Sequence, residues 1–319
     1  MVDPLDQVAS GDGCLSRRLL LKAALGSAAG LALGVPGRLF AAGQDAGAPA
    51  TLRLADDLFV ITVPGQANVV ARTGASGVVL VDGASAAASE TLLKAVATLP
   101  GAGPVRTLIN THWHPEQVGS NETLGKAGAQ IIAHENTRLW LSTEVKWPWS
   151  GQTFNRLPKA AQPNKTFYTG ATLEPGIRYG YLPDCGHTDG DLYVYFERQN
   201  VLAAGDLVST QSWPTVDYIT GGWIGGMVGG VQRLLAIANE QTRIVPARGP
   251  VLSFADLKTQ ASMYATIYER LSTLLNRGRG PSEAVAAKPT KEFDAQMGNP
   301  DEFVRRAFES LWAYLSPDA

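Results

Sequence analysis

Cysteine is nearly absent: the 319-residue chain has two, Cys14 and Cys185. Cys14 falls in a leader expected to be removed, so the mature chain keeps Cys185 alone and forms no internal disulfide. Its fold must rest on a buried apolar core, which a chain of this length with 45% hydrophobic residues can supply. An excess of one charge is missing too. The formal net charge is −2 with no long acidic or basic run, which excludes nucleic acid as a partner, because phosphate binding needs a basic face. Long uninterrupted apolar runs are also lacking, so no stable membrane anchor is expected once the leader is gone. Histidine is scarce as well. There are four, and their positions therefore carry information.

The leader has its own logic. "SRRLLLKAALGSAAGLALG" (16–34) sets Arg17 and Arg18 ahead of a moderately apolar Ala/Gly/Leu run interrupted by Lys22. It resembles a twin-arginine export signal cleaved between Ala42 and Ala50, which implies a periplasmic location and export after folding. Residues 1–48 are read as signal and leader and 49–319 as one domain, with a core over 52–270 and a helical C-terminal extension over 281–319.

From residue 51 the pattern is short β-branched runs between turns. "TLRLA", "LFVITV", "ANVVART" and "GVVLVDG" predict an antiparallel meander. "SETLLKAVATL" (89–99) has helical spacing, with Ser89 as its expected cap. Then come the strand "VRTLINT", a short helix "SNETLGKAG", the strand "AQIIAHE" and the helix "NTRLWLSTEVKW". Residues 147–165 carry little periodicity and read as a long loop, of the kind that is usually functional or mobile. Strands return at "IRYGYLP", "DLYVYFE", "NVLAAG" and "TRIVPA". A glycine-rich segment (218–230) is expected to precede a helix through "VQRLLAIANE", and two helices close the chain. Two β-rich halves, each followed by helices, predict an α/β protein, a four-layer αββα sandwich with C-terminal helices.

The chemistry-bearing residues all follow predicted strands. His112 and His114 come after "VRTLIN", His187 lies in "PDCGHTDGD", Asp206 closes "NVLAAGD" and Arg248 follows "TRIVPA". Residues i and i+2 of an extended segment point the same way, so His112 and His114 can converge. Neutral imidazoles with a carboxylate suit a borderline ion such as zinc. His134 sits at a strand-to-helix junction and reads as structural. Asp189 and Asp191 read as turn residues that cap backbone amides, and Cys185 as an ordinary half-buried thiol. Trp147, Trp149, Trp213 and Trp223 fall in loops and are candidates either for a substrate mouth or for packing loops on the sandwich.

Taken in order, "THWHPEQVGSNETL", "CGHTDGD", "VLAAGD" and "IVPARGPV" resemble the successive metal-site segments of the metallo-β-lactamase superfamily, and "GVVLVDG" is similar to its early strand and turn. The resemblance implies the four-layer fold and two metal sites. Its first site, of three histidines, matches His112, His114 and His187, and its bridging aspartate matches Asp206. The remaining second-site positions match Glu116, Gln117 and Arg248, and all depart from the family's Asp, His and His. Glu116 can ligate a metal, but Gln117 is a weak neutral donor and Arg248 has no lone pair. A guanidinium ~4 Å from a dication is repelled by roughly 8 kcal/mol at an effective dielectric of ~20.

One zinc per chain is therefore expected, with Arg248 in place of the second, paired to Glu116. The implied enzyme is a metallohydrolase acting on a small-molecule ester, lactone, thioester or amide. Asp206 would orient or deprotonate water, and Arg248 would bind a substrate anion; Glu116 is its counter-ion or a general base. Two alternatives remain open at this stage. One is a mononuclear iron (Fe2+) sulfur dioxygenase-like enzyme with His112, His187 and Asp206 as a facial triad. The other is an inactive binding protein on the same fold.

Overall fold

The computed structural model describes residues 48–315. The expected export signal and the last four residues of the expected helical extension lie outside the described residues. The early β-branched runs pair as a meander: β1 (Ala50–Arg53), β2 (Leu58–Thr62), β3 (Asn68–Arg72) and β4 (Val78–Val81) are antiparallel neighbours. Their alternation sends Leu58 and Val60 to one face and Phe59 and Ile61 to the other, and both faces are buried. β5 (Val105–Ile109) and β6 (Gln130–His134) continue the sheet in parallel. A small hairpin of β7 (Val145–Lys146) and β8 (Thr153–Phe154) stands apart, and β9 (Lys165–Phe167) completes a seven-stranded sheet beside β6.

The second sheet has five strands in sequence order. β10 (Gly170–Glu174), β11 (Ile177–Tyr181), β12 (Leu192–Phe196) and β13 (Val201–Ala203) are antiparallel, and β14 (Arg243–Val245) is parallel to β13. The inner faces interdigitate: Val60, Val81 and Ile109 of the first sheet share a core with Val194, Phe196 and Val245 of the second. Each such side chain taken out of water contributes about 1.5–3 kcal/mol.

Helices cover the outer faces. α1 (Ser89–Ala97) lays Leu92 and Val96 on Leu80 and Leu108. Behind the site loop come α2 (Pro115–Val118) and α3 (Asn121–Lys126), followed by α4 (Glu135–Leu141). The second sheet is covered by α5 (Ile224–Ile237) and α6 (Phe254–Asn276), whose Met227 and Tyr264 pack with Leu202 and Ile244. Ser253 and Asp256 start α6 with a reciprocal capping box. The C-terminal α7 (Pro281–Ala286), α8 (Asp294–Met297) and α9 (Asp301–Leu315) join the same core through Ala284, Met297, Phe303 and Phe308. The four-layer αββα sandwich is thus the observed architecture. Among the described residues no helix is long and apolar enough to cross a membrane.

Three local expectations need correction. Ser89 lies inside α1, whose N-cap is Ala88; its hydroxyl instead accepts a hydrogen bond from Ser120 at 2.8 Å. α5 begins inside the glycine-rich segment rather than after it. Tertiary packing overrides the low helix propensity of glycine there, because a Cβ at Gly226 would overlap the carbonyl oxygens of Asp184 and Cys185. The helix can only approach the His187 loop this closely without side chains. Finally, residues 147–165 are not wholly irregular, since β8 and a 3-10 turn at Lys159–Ala161 fall within them.

Candidate metal centre

Strand ends bring three histidines to one point. Thr111 follows β5, and its backbone N–H donates to Asp82 Oδ1 at 2.8 Å. Its hydroxyl donates to Asp82 Oδ2 at 2.9 Å and lies 3.1 Å from His112 Nδ1. With its proton directed to the carboxylate, the hydroxyl accepts from Nδ1–H, and His112 Nε2 keeps its lone pair. His114 is fixed the other way round. Its Nε2 lies 3.0 Å from Asp217 Oδ2, an acceptor that also receives Trp147 Nε1 at 3.2 Å and the Thr220 hydroxyl at 2.8 Å. His114 Nδ1 is thereby left with its lone pair.

These two lone pairs meet His187 Nε2, 3.2 Å from His112 Nε2 and 2.8 Å from His114 Nδ1. His187 can supply a proton to one of them at most. Nitrogens bound ~2.05 Å from a tetrahedral zinc stand about 3.3 Å apart, so the spacing and donor chemistry fit a cation at the centre. The three rings stand nearly perpendicular to one another, at 80–84°. His112, His114 and His187 form the one group of metal-capable side chains this close among the described residues, with ligand atoms within 4.8 Å of one another.

Burial favours the neutral, ligating form in two of the three histidines. It pushes the His112 and His187 imidazoles well below their ordinary range, and neighbouring histidines add to the effect. Burial alone would do the same to His114, but the hydrogen bond and charge of Asp217 outweigh it and raise that residue. The His187 loop is held from several sides. Asp191 accepts from the N–H of His187 at 2.7 Å and from the N–H and hydroxyl of Thr188, so it is the turn cap its position suggests. Asp189 accepts from Trp140 Nε1 at 2.7 Å. His134 stands apart from the site as the N-cap of α4, stacked 3.8 Å from Tyr181, and Cys185 is buried.

Asp206 stands off from the trio. Its Oδ2 is 3.8 Å from His187 Nε2, while its Oδ1 accepts the Gln117 amide at 2.8 Å. Burial raises Asp206 to about 6, partly opposed by Arg248. Gln117 is fully buried. Glu116, Asp206, Arg248, Trp147 and Trp213 line one cavity of ≈ 100 Å³ beside His114. The expected Glu116–Arg248 ion pair is not formed. Arg248 is held by its backbone, which bridges to Ser209 and accepts from Thr210 N–H at 3.1 Å, and its guanidinium turns to the Gly65 carbonyl at 3.4 Å. Gln117, rather than Arg248, is therefore the group that engages Asp206.

The tryptophans separate into two groups. Trp147 and Trp213 line the cavity, and Trp149 packs on Trp147 and Tyr218. Trp223 is not at the mouth: it is 3% exposed, stacked 3.7 Å from Tyr314 and hydrogen-bonded to the Asp184 carbonyl. Sequence reasoning missed Asp217 and Thr220, which support His114. It also gave no role to the C-terminal helices, which brace the cavity wall. Phe303 of α9 stacks on Trp213 at 4.5 Å, and Trp213 Nε1 donates to the Gly298 carbonyl at 3.0 Å.

Residues 62–261 match the Metallo-beta-lactamase superfamily. The chain belongs to that superfamily. Among solved structures it is similar to the DIM-1 metallo-beta-lactamase, at 18% identity and TM-score 0.54, covering 69% of this chain and 98% of that one. A metallo-beta-lactamase from Pontibacter korlensis is similar at 21% identity and TM-score 0.53, covering 68% of this chain and 98% of its own. FIM-1 from Pseudomonas aeruginosa, in its mono-zinc form, is similar at 14% identity and TM-score 0.55, covering 68% and 95%. At these identities the structural likeness concerns the fold.

Proposed function

We propose that the protein is a mononuclear metallohydrolase, with His112, His114 and His187 holding one zinc ion. The observation that carries this reading is the convergence of three imidazole nitrogens, with the outer hydrogen bonds of His112 and His114 leaving their lone pairs pointing inward at His187. A trio of neutral nitrogens with a carboxylate set back favours zinc over the iron facial triad, in which Asp206 would have to be a direct ligand. When bound, zinc supplies Lewis acidity and a water made acidic near neutral pH.

The chain's own residues would do the rest. Asp206 Oδ2, the oxygen not engaged by Gln117, would orient the attacking water and accept its proton. Gln117 fixes that carboxylate's rotamer and takes up its second oxygen, which a second metal would otherwise need. Glu116 and Arg248 flank the substrate cavity as charged walls. The paired Arg17 and Arg18 ahead of an apolar run support export to the periplasm as part of the same proposal.

The reaction class is tested by stripping the protein with chelator, restoring zinc stepwise and assaying ester, lactone and thioester hydrolysis. Activity should rise and saturate at one equivalent. Hydrolysis indifferent to zinc, or saturating only at two equivalents, would contradict the proposal.

A further inference from the structure

We propose that the substrate of this site is compact and carries a carboxylate, which Arg248 binds while Trp147 and Trp213 limit its size. The proposal rests on the one-metal reading above and adds the substrate class to it.

Charge selects for an anion. Arg248 is the cation on the wall of a cavity that also presents Asp206 and Glu116. Its guanidinium makes no ion pair among the described residues, and its hydrogen bond to Gly65 is long, at 3.4 Å. Most of its five donors are thus available. A divalent ion on three neutral histidines offsets the charges of Asp206 and Glu116, and the unpaired guanidinium keeps its own end of the cavity locally positive. That field favours an anionic substrate. A planar guanidinium offers the bidentate fork a single carboxylate matches. A phosphate dianion would need further donors, whereas Asp206 and Glu116 would face it with like charge.

The walls of the cavity limit size. A cavity of ≈ 100 Å³ is small against the ~300–1,000 Å³ of sites that take drug-sized ligands. Its aromatic walls are braced in place. Trp147 donates to Asp217, the partner of His114, and Trp213 is stacked on Phe303 and hydrogen-bonded to Gly298. Gln296 also ties the Thr210 carbonyl at 3.3 Å, so the C-terminal helices hold the whole 210–213 wall. Enlarging the pocket would require breaking contacts to a buried Phe303, which is 1% exposed. The narrowness is therefore built by packing rather than by one rotamer.

The test uses the zinc-loaded full chain, with metal content measured by elemental analysis before each titration. Calorimetric binding of glycolate should exceed that of its neutral amide, glycolamide, by at least tenfold. Arg248→Gln and Arg248→Ala should keep their zinc and lose glycolate affinity by tenfold or more, and Arg248→Lys should recover part of it. Cyclohexanecarboxylate should not bind the wild type and should bind Trp213→Ala. Glycolate affinity that is equal in wild type and both Arg248 variants, all holding zinc, would overturn the proposal while leaving the one-metal reading intact. So would tighter binding of inorganic phosphate than of glycolate, or binding of cyclohexanecarboxylate to the wild type. A purified chain that cannot retain zinc would instead overturn the one-metal reading, and this proposal with it.

Discussion

Gln117 donates its side-chain amide to the Asp206 carboxylate at 2.8 Å, deep in the site and fully buried. The amide's oxygen has no partner, an arrangement that costs about 1–3 kcal/mol. In a two-metal site of this family, Asp206 would bridge both ions and position 117 would be a ligand. On the one-metal proposal, the hydrogen bond from the Gln117 amide takes the place of that coordination. Gln117→His combined with Arg248→His should therefore raise bound zinc from one to two equivalents. Elemental analysis of the double variant checks it, and a value still near one would show that the geometry of the vacated half cannot be restored by its ligands alone.

Asp217 should matter to the metal although it does not touch it. It holds His114 in the Nε2–H tautomer and anchors Trp147 and Thr220. Outer partners of ligating histidines typically contribute 10–100-fold in metal affinity. Asp217→Asn keeps the size but lets the side chain donate, which favours the wrong tautomer. Zinc affinity by chelator competition should fall by roughly that factor. Unchanged affinity would make Asp217 a fold residue only.

Gly226 couples the core to the site. A Cβ there would meet the carbonyl oxygens of Asp184 and Cys185, in the loop that presents His187. Gly226→Ala should cost on the order of 1–3 kcal/mol in urea unfolding, despite alanine's better helix propensity. Greater stability than the wild type would mean that α5 can shift freely, against the packing described.

His134 gives a stability signature in acid. Burial lowers its folded pKa from 6.5 to about 4. Below pH ~6.5 the unfolded chain takes up a proton that the native state refuses, so stability is lost as pH falls toward 4 and levels off beneath. A shift of that size corresponds to roughly 3 kcal/mol. Its Nδ1 accepts the Asn136 N–H at 3.2 Å as an N-cap, and asparagine also caps well. His134→Asn should keep the cap and flatten the decline between pH 6.5 and 4 in chelator-treated protein. An unchanged slope would place the acid sensitivity elsewhere.

The sandwich and the histidine trio were legible because both depend on local pattern. Alternation in "LFVITV" and "GVVLVDG" writes the two faces of β2 and β4, and strand ends deliver His112, His114 and His187 to one rim. The support for the trio was not legible. Asp217 lies 103 residues from His114 and sits in no periodic segment, so only the folded chain reveals the pair. The start of α5 was misplaced because backbone contact overrides propensity, a constraint written in the neighbouring loop. The pairing of Glu116 with Arg248 was inferred from opposite charge. The structure ties Arg248 to Ser209, Thr210 and Gly65 instead, while Gln117 engages Asp206. Charge complementarity indicated which half of the site had changed, but not which atoms meet.

On the proposed function, one metal site is kept and the Gln117–Asp206 hydrogen bond stands in for the other. Elemental analysis of the protein, purified without added metal and dialysed against metal-free buffer, tests it most directly. One equivalent of tightly held zinc per chain is the predicted result. Two tightly held equivalents would contradict it.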